Sequence, residues 1–203
     1  GQQVTIEGVV TLGSGITSTS WTDAYVQDSS GRGINIYQSG TVDPDLLRNN
    51  KVKITGTVDE YSGVTEIINY SLQVTGTNQS LPESLQLSTN SATDLIYEGT
   101  LIYIQGTIID KYVAGPGTTI SIDDGSSAVD IRAWDSANLN LTAYNIGDTV
   151  GVKGVMDIYQ GNAQILLSYQ EDINSVSIQT DSPQISNIIQ SPLAPTPSDT
   201  TTI

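Results

Sequence analysis

The sequence predicts an all-β chain folded as two tandem five-stranded Greek-key barrels, followed by an extended proline-rich C-terminal segment. Two observations carry this. Val52 to Ile67 (VKITGTVDEYSGVTEI) returns 98 positions later as Val150 to Ile165 (VGVKGVMDIYQGNAQI), with Val52/Val150, Gly56/Gly154, Asp59/Asp157, Tyr61/Tyr159, Gly63/Gly161 and Ile67/Ile165 coinciding in register. In each copy an alternating apolar run meets a glycine, turns at Tyr-X-Gly and resumes as a second run, the pattern of two antiparallel strands joined by a short loop. A chain of 203 residues thus divides into residues 1–76 as a first domain, 77–99 as a packed linker, 100–177 as a second domain and 178–203 as the extended segment.

In the first copy, Val4, Ile6 and Val10 alternate with Thr5, Glu7 and Val9, with Gly8 in place of a side chain, as a first strand. Ala24 and Val26 alternate with Tyr25 and Gln27, Asp28 to Gly31 supplies turn residues, and Ile34 and Ile36 alternate with Asn35 and Tyr37, giving a hairpin of strands two and three. Asp43 to Leu47 has a proline and acids where a short helix would start. It leads into the fourth strand, with Val52, Ile54 and Val58 on one face, and the last strand covers about Val64 to Val74. Strand, hairpin, short helical connection and two more strands is the order of the OB-fold. The second copy repeats it through Ile102, Ile104 and Ile108 around Gly106, then Ile120 and Ile122, Val129 and Ile131, and Val150, Val152 and Met156. Between the copies, Ser91-Ala-Thr-Asp94 is placed to cap a helical turn beneath the second barrel.

Composition limits the chemistry. The chain has no cysteine and no histidine, which removes disulfides, Cys/His zinc sites, thiol nucleophiles and imidazole bases. No carboxylate pair is singled out by spacing, and no phosphate loop or nucleophile elbow occurs, so the chain reads as a non-enzyme with no cofactor. Ca²⁺ has two candidate loops, Asp28 to Gly31 and Asp123-Asp124-Gly125, neither with EF-hand spacing, and turn chemistry accounts for both. Asp59 and Asp157 read as turn carboxylates accepting backbone N–H bonds. Seven Lys and Arg against 22 Asp and Glu give a net charge of −15, which repels polyanions and anionic membranes at long range. No apolar run is long enough to span a membrane. The Ser, Thr, Gly, Asn and Gln richness suggests a secreted, extracellular or cell-surface location, and the start at Gly1 suggests a mature product, an excerpt of something longer or a chain with a tag remnant.

OB barrels that take single strands do so on the outward side of strands two and three. Here that side carries Tyr25, Gln27, Asn35 and Tyr37 with Arg32 at the hairpin, and in the second copy Ser121, Asp123, Asp130, Arg132 and Trp134. Tyr25, Gln27, Arg32, Asn35, Tyr37, Arg132 and Trp134 are therefore the candidate ligand face, for which nucleic acid is disfavoured by the charge. The alternative use of the same tyrosines is covering a sheet or forming a barrel-to-barrel contact. The last 27 residues hold four of seven prolines and one apolar patch, Ile185, Ile188 and Ile189. That patch is a candidate assembly segment, suited to adding a strand to an open sheet edge.

The motifs VDEYSGVTEI (58–67) and AYVQDSSGRGINIY (24–37) resemble OB-fold modules of secreted bacterial proteins, including those preceding the catalytic domain of extracellular nucleases. The segment LPESLQLSTNSATDLIYEGTLIYIQGTI (81–108) resembles the joint between such modules, and the tail from Pro183 resembles the entry to a further β-sandwich domain. The resemblance covers about Gln3 to Val176 and implies a secreted, non-catalytic module; it transfers no catalytic residue. Two functions follow as expectations. The first is a structural subunit of a surface layer or filament that self-associates through its C-terminal segment. The alternative is a nucleic-acid or glycan-binding accessory module of a secreted nuclease-like protein.

Overall fold

The computed structural model describes residues 1–177. The candidate assembly residues Ile185, Ile188 and Ile189 lie outside them. The first barrel is built from β1 (Gln3–Leu12), β2 (Thr22–Gln27), β3 (Gly33–Gln38), β4 (Lys51–Tyr61) and β5 (Val64–Gly76), closed in the order β1-β2-β3-β5-β4. All neighbours are antiparallel except β3 and β5, which run parallel through Asn35/Glu66 and Ile36/Ile67. Alternation decides the inside: Val10, Ala24, Val26, Ile36, Val52, Ile54 and Ile67 form one buried cluster.

The second barrel repeats the plan with β7 (Leu101–Val113), β8 (Gly117–Asp123), β9 (Val129–Trp134), β10 (Thr149–Tyr159) and β11 (Asn162–Leu166). Two short strands extend it: β6 (Leu85–Gln86) lies parallel to β7, and β12 (Ile173–Ser175) lies beside β10. Its core holds Ile102, Ile104, Ile108, Ile120, Ile122, Ile131, Val150, Val152 and Met156.

The repeated motif behaves as the sequence predicts. Tyr61 pairs with Val64 and Tyr159 with Asn162, so each loop has two residues. Ser62 and Gly63 have φ of 53° and 93°, and Gln160 and Gly161 have 52° and 80°. Two consecutive positive φ values make these type I′ turns, whose twist matches the flanking strands. At Gly154 an added Cβ would stand 2.7 Å from both the Ile165 side chain and the Leu166 carbonyl, so the bent strand has no room for one.

Two expected helical pieces differ. Asp43 to Leu47 forms turns and no helix. The reason is where its main chain bonds go: the Leu46 carbonyl accepts from the Ser14 amide, and Asn50 Nδ2 donates to the Asp45 carbonyl. Leu46 itself is fully buried in the barrel core. After Ser91 the chain makes two 3₁₀ turns, Ser91–Thr93 and Leu95–Tyr97, with the Asp94 carboxylate accepting from the Ile96 amide at 3.1 Å.

The copies diverge at the fifth strand. β5 runs unbroken for 13 residues, whereas in the second copy the chain leaves the sheet after Leu166 and returns at Ile173. The excursion carries Tyr169, Glu171 and Asp172 to Arg48 of the first barrel. The Arg48 guanidinium lies 3.9 Å from the Tyr169 ring centroid and donates to Glu171 at 2.8 Å and to Asp172 at 2.5 Å. Lys153 approaches the other Asp172 oxygen at 3.2 Å, and the Tyr169 hydroxyl accepts from the Gly13 amide at 2.9 Å. Elsewhere Leu12, Tyr25, Leu101, Val155 and Leu166 form a third apolar cluster between the barrels. Gly33 and Gly99 meet backbone to backbone; a Cβ on Gly33 would fall 2.1 Å from the Gly99 carbonyl oxygen.

Arg48 and Asp172 side chains are nearly buried, so removing the guanidinium leaves the Asp172 carboxylate to Lys153 alone and uncovers the Tyr169 ring. Arg48→Ala is expected to cost roughly 3 kcal/mol of unfolding free energy, read by urea titration. Arg48→Lys should restore little of it, because an ammonium cannot serve both carboxylates while stacked on the ring. An unchanged midpoint in Arg48→Ala would show that the clasp contributes nothing.

Candidate functional site

The outward side of β2 and β3 is the face on which the sequence places Tyr25, Gln27, Asn35 and Tyr37. The structure separates them. Tyr25, Gln27 and Asn35 are 1%, 2% and 3% exposed, and the second barrel meets the first two directly. The Gln27 carbonyl oxygen of the amide accepts from the Leu101 amide at 2.7 Å, the Tyr25 hydroxyl donates to Asp157 at 2.7 Å, and Asn35 donates to Asp23 at 2.6 Å. Tyr25 and Gln27 thus serve the barrel-to-barrel contact, while Asn35 ties β3 to β2 within the first barrel, and Tyr25 and Asn35 border the groove beside the joint. Arg32 lies over the Tyr97 ring at 5.5 Å and donates to the Ile96 carbonyl, tying the hairpin to the linker. Tyr37 alone of the four remains partly exposed, on a groove between the barrels.

Asp157 is therefore more than a turn carboxylate. One oxygen accepts from Tyr25 and the other from Gln164 Nε2 at 2.7 Å, so it crosses from the second barrel to the first. Its repeat mate Asp59 is exposed. Burial pushes the Asp157 carboxyl above the ordinary carboxylate range, with the Tyr25 and Gln164 hydrogen bonds opposing. Burial, then the proximity of Asp157 and Asp23, pushes the Tyr25 hydroxyl well up.

The corresponding face of the second barrel is open. A cleft of about 480 Å³ lies over β8 and β9, walled by the β7–β8 loop and the β10–β11 turn. Arg132, Trp134, Asp130, Tyr112 and Tyr159 line it, with Tyr112 46% and Tyr159 58% exposed. The Arg132 guanidinium stacks 4.4 Å from the Trp134 ring centroid and donates to the Ala114 carbonyl at 2.7 Å and to Thr119 at 3.2 Å. That arrangement holds the indole rigidly and leaves tyrosines on the rim. Arg132 and Trp134 were legible from strand alternation. Sequence alternation does not mark Tyr112 and Tyr159 as ligand residues; for Tyr159 the signal is its place immediately before a two-residue turn, where a hairpin's tip meets solvent.

All three arginines stack on aromatic rings: Arg32 on Tyr97, Arg48 on Tyr169 and Arg132 on Trp134. Lys111 donates to the Leu141 and Tyr144 carbonyls, Lys153 pairs with Asp172, and Lys53 with Glu7. Six of the chain's seven basic side chains are thus committed within the described residues.

Neither candidate Ca²⁺ loop offers free oxygens in a cluster. Asp124 accepts from Thr89 and Ser126, which holds its carboxyl down at about 2. Asp28 accepts from Ser30 and is lowered for the same reason. Among the described residues no group of three acidic side chains is arranged to hold a metal ion, and no helix is long and apolar enough to cross a membrane.

No family model matches the sequence. It is 29% identical over 172 residues to Endonuclease YhcR of Bacillus subtilis (strain 168); the match takes in 78% of this chain and 14% of that protein. The chain thus spans about a seventh of the relative's length. Solved structures with a similar chain path include a murine DNA-binding protein bound with double-stranded DNA (9% identity, 85% of this chain and 98% of that one, TM-score 0.43). The Ifi202 HINa domain in complex with a 20-bp duplex (17%, 86% and 98%, 0.39) and the OBody AM1L10 bound to hen egg-white lysozyme (17%, 48% and 98%, 0.40) are others.

The buried carboxyls set a pH dependence. Burial raises Glu66, Glu98 and Asp157 above their ordinary values. A raised native value means the folded chain holds protons that the unfolded chain has lost, so each contribution is fully present below the unfolded value and fades as pH climbs through the folded one. Asp28 and Asp124, lowered, act oppositely and lose their contribution only in stronger acid. The thermal midpoint is expected to be higher at about pH 5 than at about pH 8 at equal ionic strength. Scanning calorimetry across that interval checks it, and a midpoint that climbs steadily toward pH 8 contradicts it.

Proposed function

We propose that this chain is a non-catalytic binding module that takes a short stretch of single-stranded nucleic acid on the open face of its second barrel. The observation that carries the reading is the cleft over β8 and β9, with Trp134 fixed at its floor by Arg132 and Tyr112 and Tyr159 at its rim. This is the surface, two strands and two flanking loops, by which OB barrels take oligonucleotides and oligosaccharides. Similarity to a segment of an endonuclease supports nucleic acid as the ligand and an accessory role beside a catalytic domain elsewhere. An extracellular setting, suggested by composition, belongs to the same proposal. The surface-layer reading rests on residues 178–203, which lie outside the described residues.

The charge dictates the manner of binding. Each neutralised phosphate on a single strand contributes about −0.7 to the slope of log affinity against log salt. With six of seven basic groups committed internally, few are free to neutralise phosphate. Stacking, at about 1–3 kcal/mol per base, has to supply most of the affinity.

Labelled oligodeoxythymidine should therefore bind weakly, with a shallow salt slope of about −1.5 or less in magnitude. Tyr159→Ala and Tyr112→Ala should each weaken binding by at least about fivefold. Fluorescence anisotropy from low to moderate salt measures both. No binding at low salt sinks the proposal, and oligosaccharide binding in the same cleft without oligonucleotide binding replaces it with the glycan reading.

A further inference from the structure

The joint between the barrels leaves a second opening, a groove of about 670 Å³ bounded by β2, β3, the β4–β5 turn and the end of β10. Its chemistry differs from that of the cleft on β8 and β9. Trp21, Tyr37, Tyr61 and Tyr159 contribute aromatic surface, and Trp21 and Tyr61 are 44% and 72% exposed. Three carboxyls line the same space: Asp23, Glu66 and Asp157. No Lys or Arg lines it.

The carboxyls are not equally occupied. Asp157 spends both oxygens on Tyr25 and Gln164, and Asp23 accepts from Asn35. Glu66 is different. It is only 8% exposed, it lines the groove, and among the described residues no donor and no basic side chain meets its carboxylate. Strand pairing explains its position. Glu66 stands opposite Asp59 on β4 and beside Asn35 on β3, and the Asn35 amide donates to Asp23. Burial first, then the neighbouring Asp59 and Asp23, push its carboxyl above the ordinary range. With no protein donor on it among the described residues, the Glu66 carboxylate is answered only by solvent in the groove, which a charged donor can replace.

We propose that this groove is a binding site for an organic cation, a primary ammonium or guanidinium on an extended stem. The charged end would meet Glu66, with the aromatic side chains receiving the cation and its stem. A neutral saccharide could stack on the rings and donate hydroxyls, yet it leaves the summed charge of Asp23, Asp59, Glu66 and Asp157 uncompensated. A nucleotide is repelled by it. A cation satisfies both parts of the lining, since aromatic faces attract cations and a carboxylate accepts charge-assisted hydrogen bonds. The same chemistry is presented by a free polyamine and by a lysine or arginine side chain of a partner polypeptide. The proposal does not rest on the nucleic-acid reading of the other cleft.

The chain's two tryptophans report the two sites separately, Trp21 on the groove and Trp134 on the cleft. In Trp134→Phe protein, spermidine and an acetylated tetralysine peptide are titrated at low salt while Trp21 emission is followed, with tetraglutamate and a neutral chitooligosaccharide as comparisons. A saturable Trp21 response to spermidine or tetralysine, absent with tetraglutamate, is expected, and the tighter of the two identifies the source. Glu66→Gln should weaken that binding about tenfold, about 1.4 kcal/mol, while leaving the fold intact by circular dichroism. Tyr61→Ala, at an exposed turn, should weaken it independently when read by calorimetry. Lack of response to either cation at millimolar concentration overturns the proposal, as does a response unchanged in both variants or one given by the saccharide instead.

Discussion

Everything about how this molecule meets its surroundings depends on the burial of one barrel's β2–β3 face under the other barrel. Tyr25 stands at the centre of that contact, within the apolar cluster of Leu12, Leu101, Val155 and Leu166, and its hydroxyl finds a partner in Asp157. A buried phenol needs such a partner, and a buried carboxylate needs such a donor. The close approach of Gly33 and Gly99 fixes the distance at which the two can meet. Once this face is closed, the first barrel keeps the groove beside it, and the second barrel keeps its corresponding face free.

The sequence shows the frame clearly and the joint hardly at all. Strand order, the inward residues and both Tyr-X-Gly turns can be read from alternation and from the 98-residue repeat, because those features are local. Alternation also tells correctly that Tyr25, Gln27 and Asn35 point outward from their barrel. It cannot tell what covers them, since Asp157 lies 132 positions from Tyr25 and Leu101 lies 74 from Gln27. The Arg48 clasp, 123 and 124 positions from Glu171 and Asp172, is hidden for the same reason. Asp43 to Leu47 carries helix-starting residues, yet the Leu46 carbonyl is claimed by Ser14, a tertiary bond that overrides local preference. Glu66 sits in a strand at a position its neighbours' polarity does not mark, and only the approach of the second barrel gives it meaning.

The distribution of charge follows from the same packing. A chain with few bases has placed every arginine on an aromatic ring, where a weakly hydrated, planar guanidinium is most at home. In each case the arginine also holds a join: hairpin to linker, barrel to barrel, or strand to loop. The positive charge is consequently engaged within the molecule, and with 22 acidic residues against seven basic ones the surface that a partner first senses is acidic. Ligands are then sorted by stacking and by their own charge more than by attraction to a basic patch.

The interruption of the fifth strand in the second copy also makes the two copies unequal in what they offer a neighbour. In the register of the repeat, Arg48 corresponds to Ile146, and the backbones agree: Asn49 and Gly147 both have positive φ, and their amides donate to Val10 and Ile108 respectively. Ile146 is 62% exposed and carries no charge. A third barrel approaching with the same Tyr169-like loop would find an isoleucine where its two carboxylates require a guanidinium. Among the described residues the clasp is therefore made once, and Ile146, at the position equivalent to Arg48, offers an exposed apolar side chain in its place.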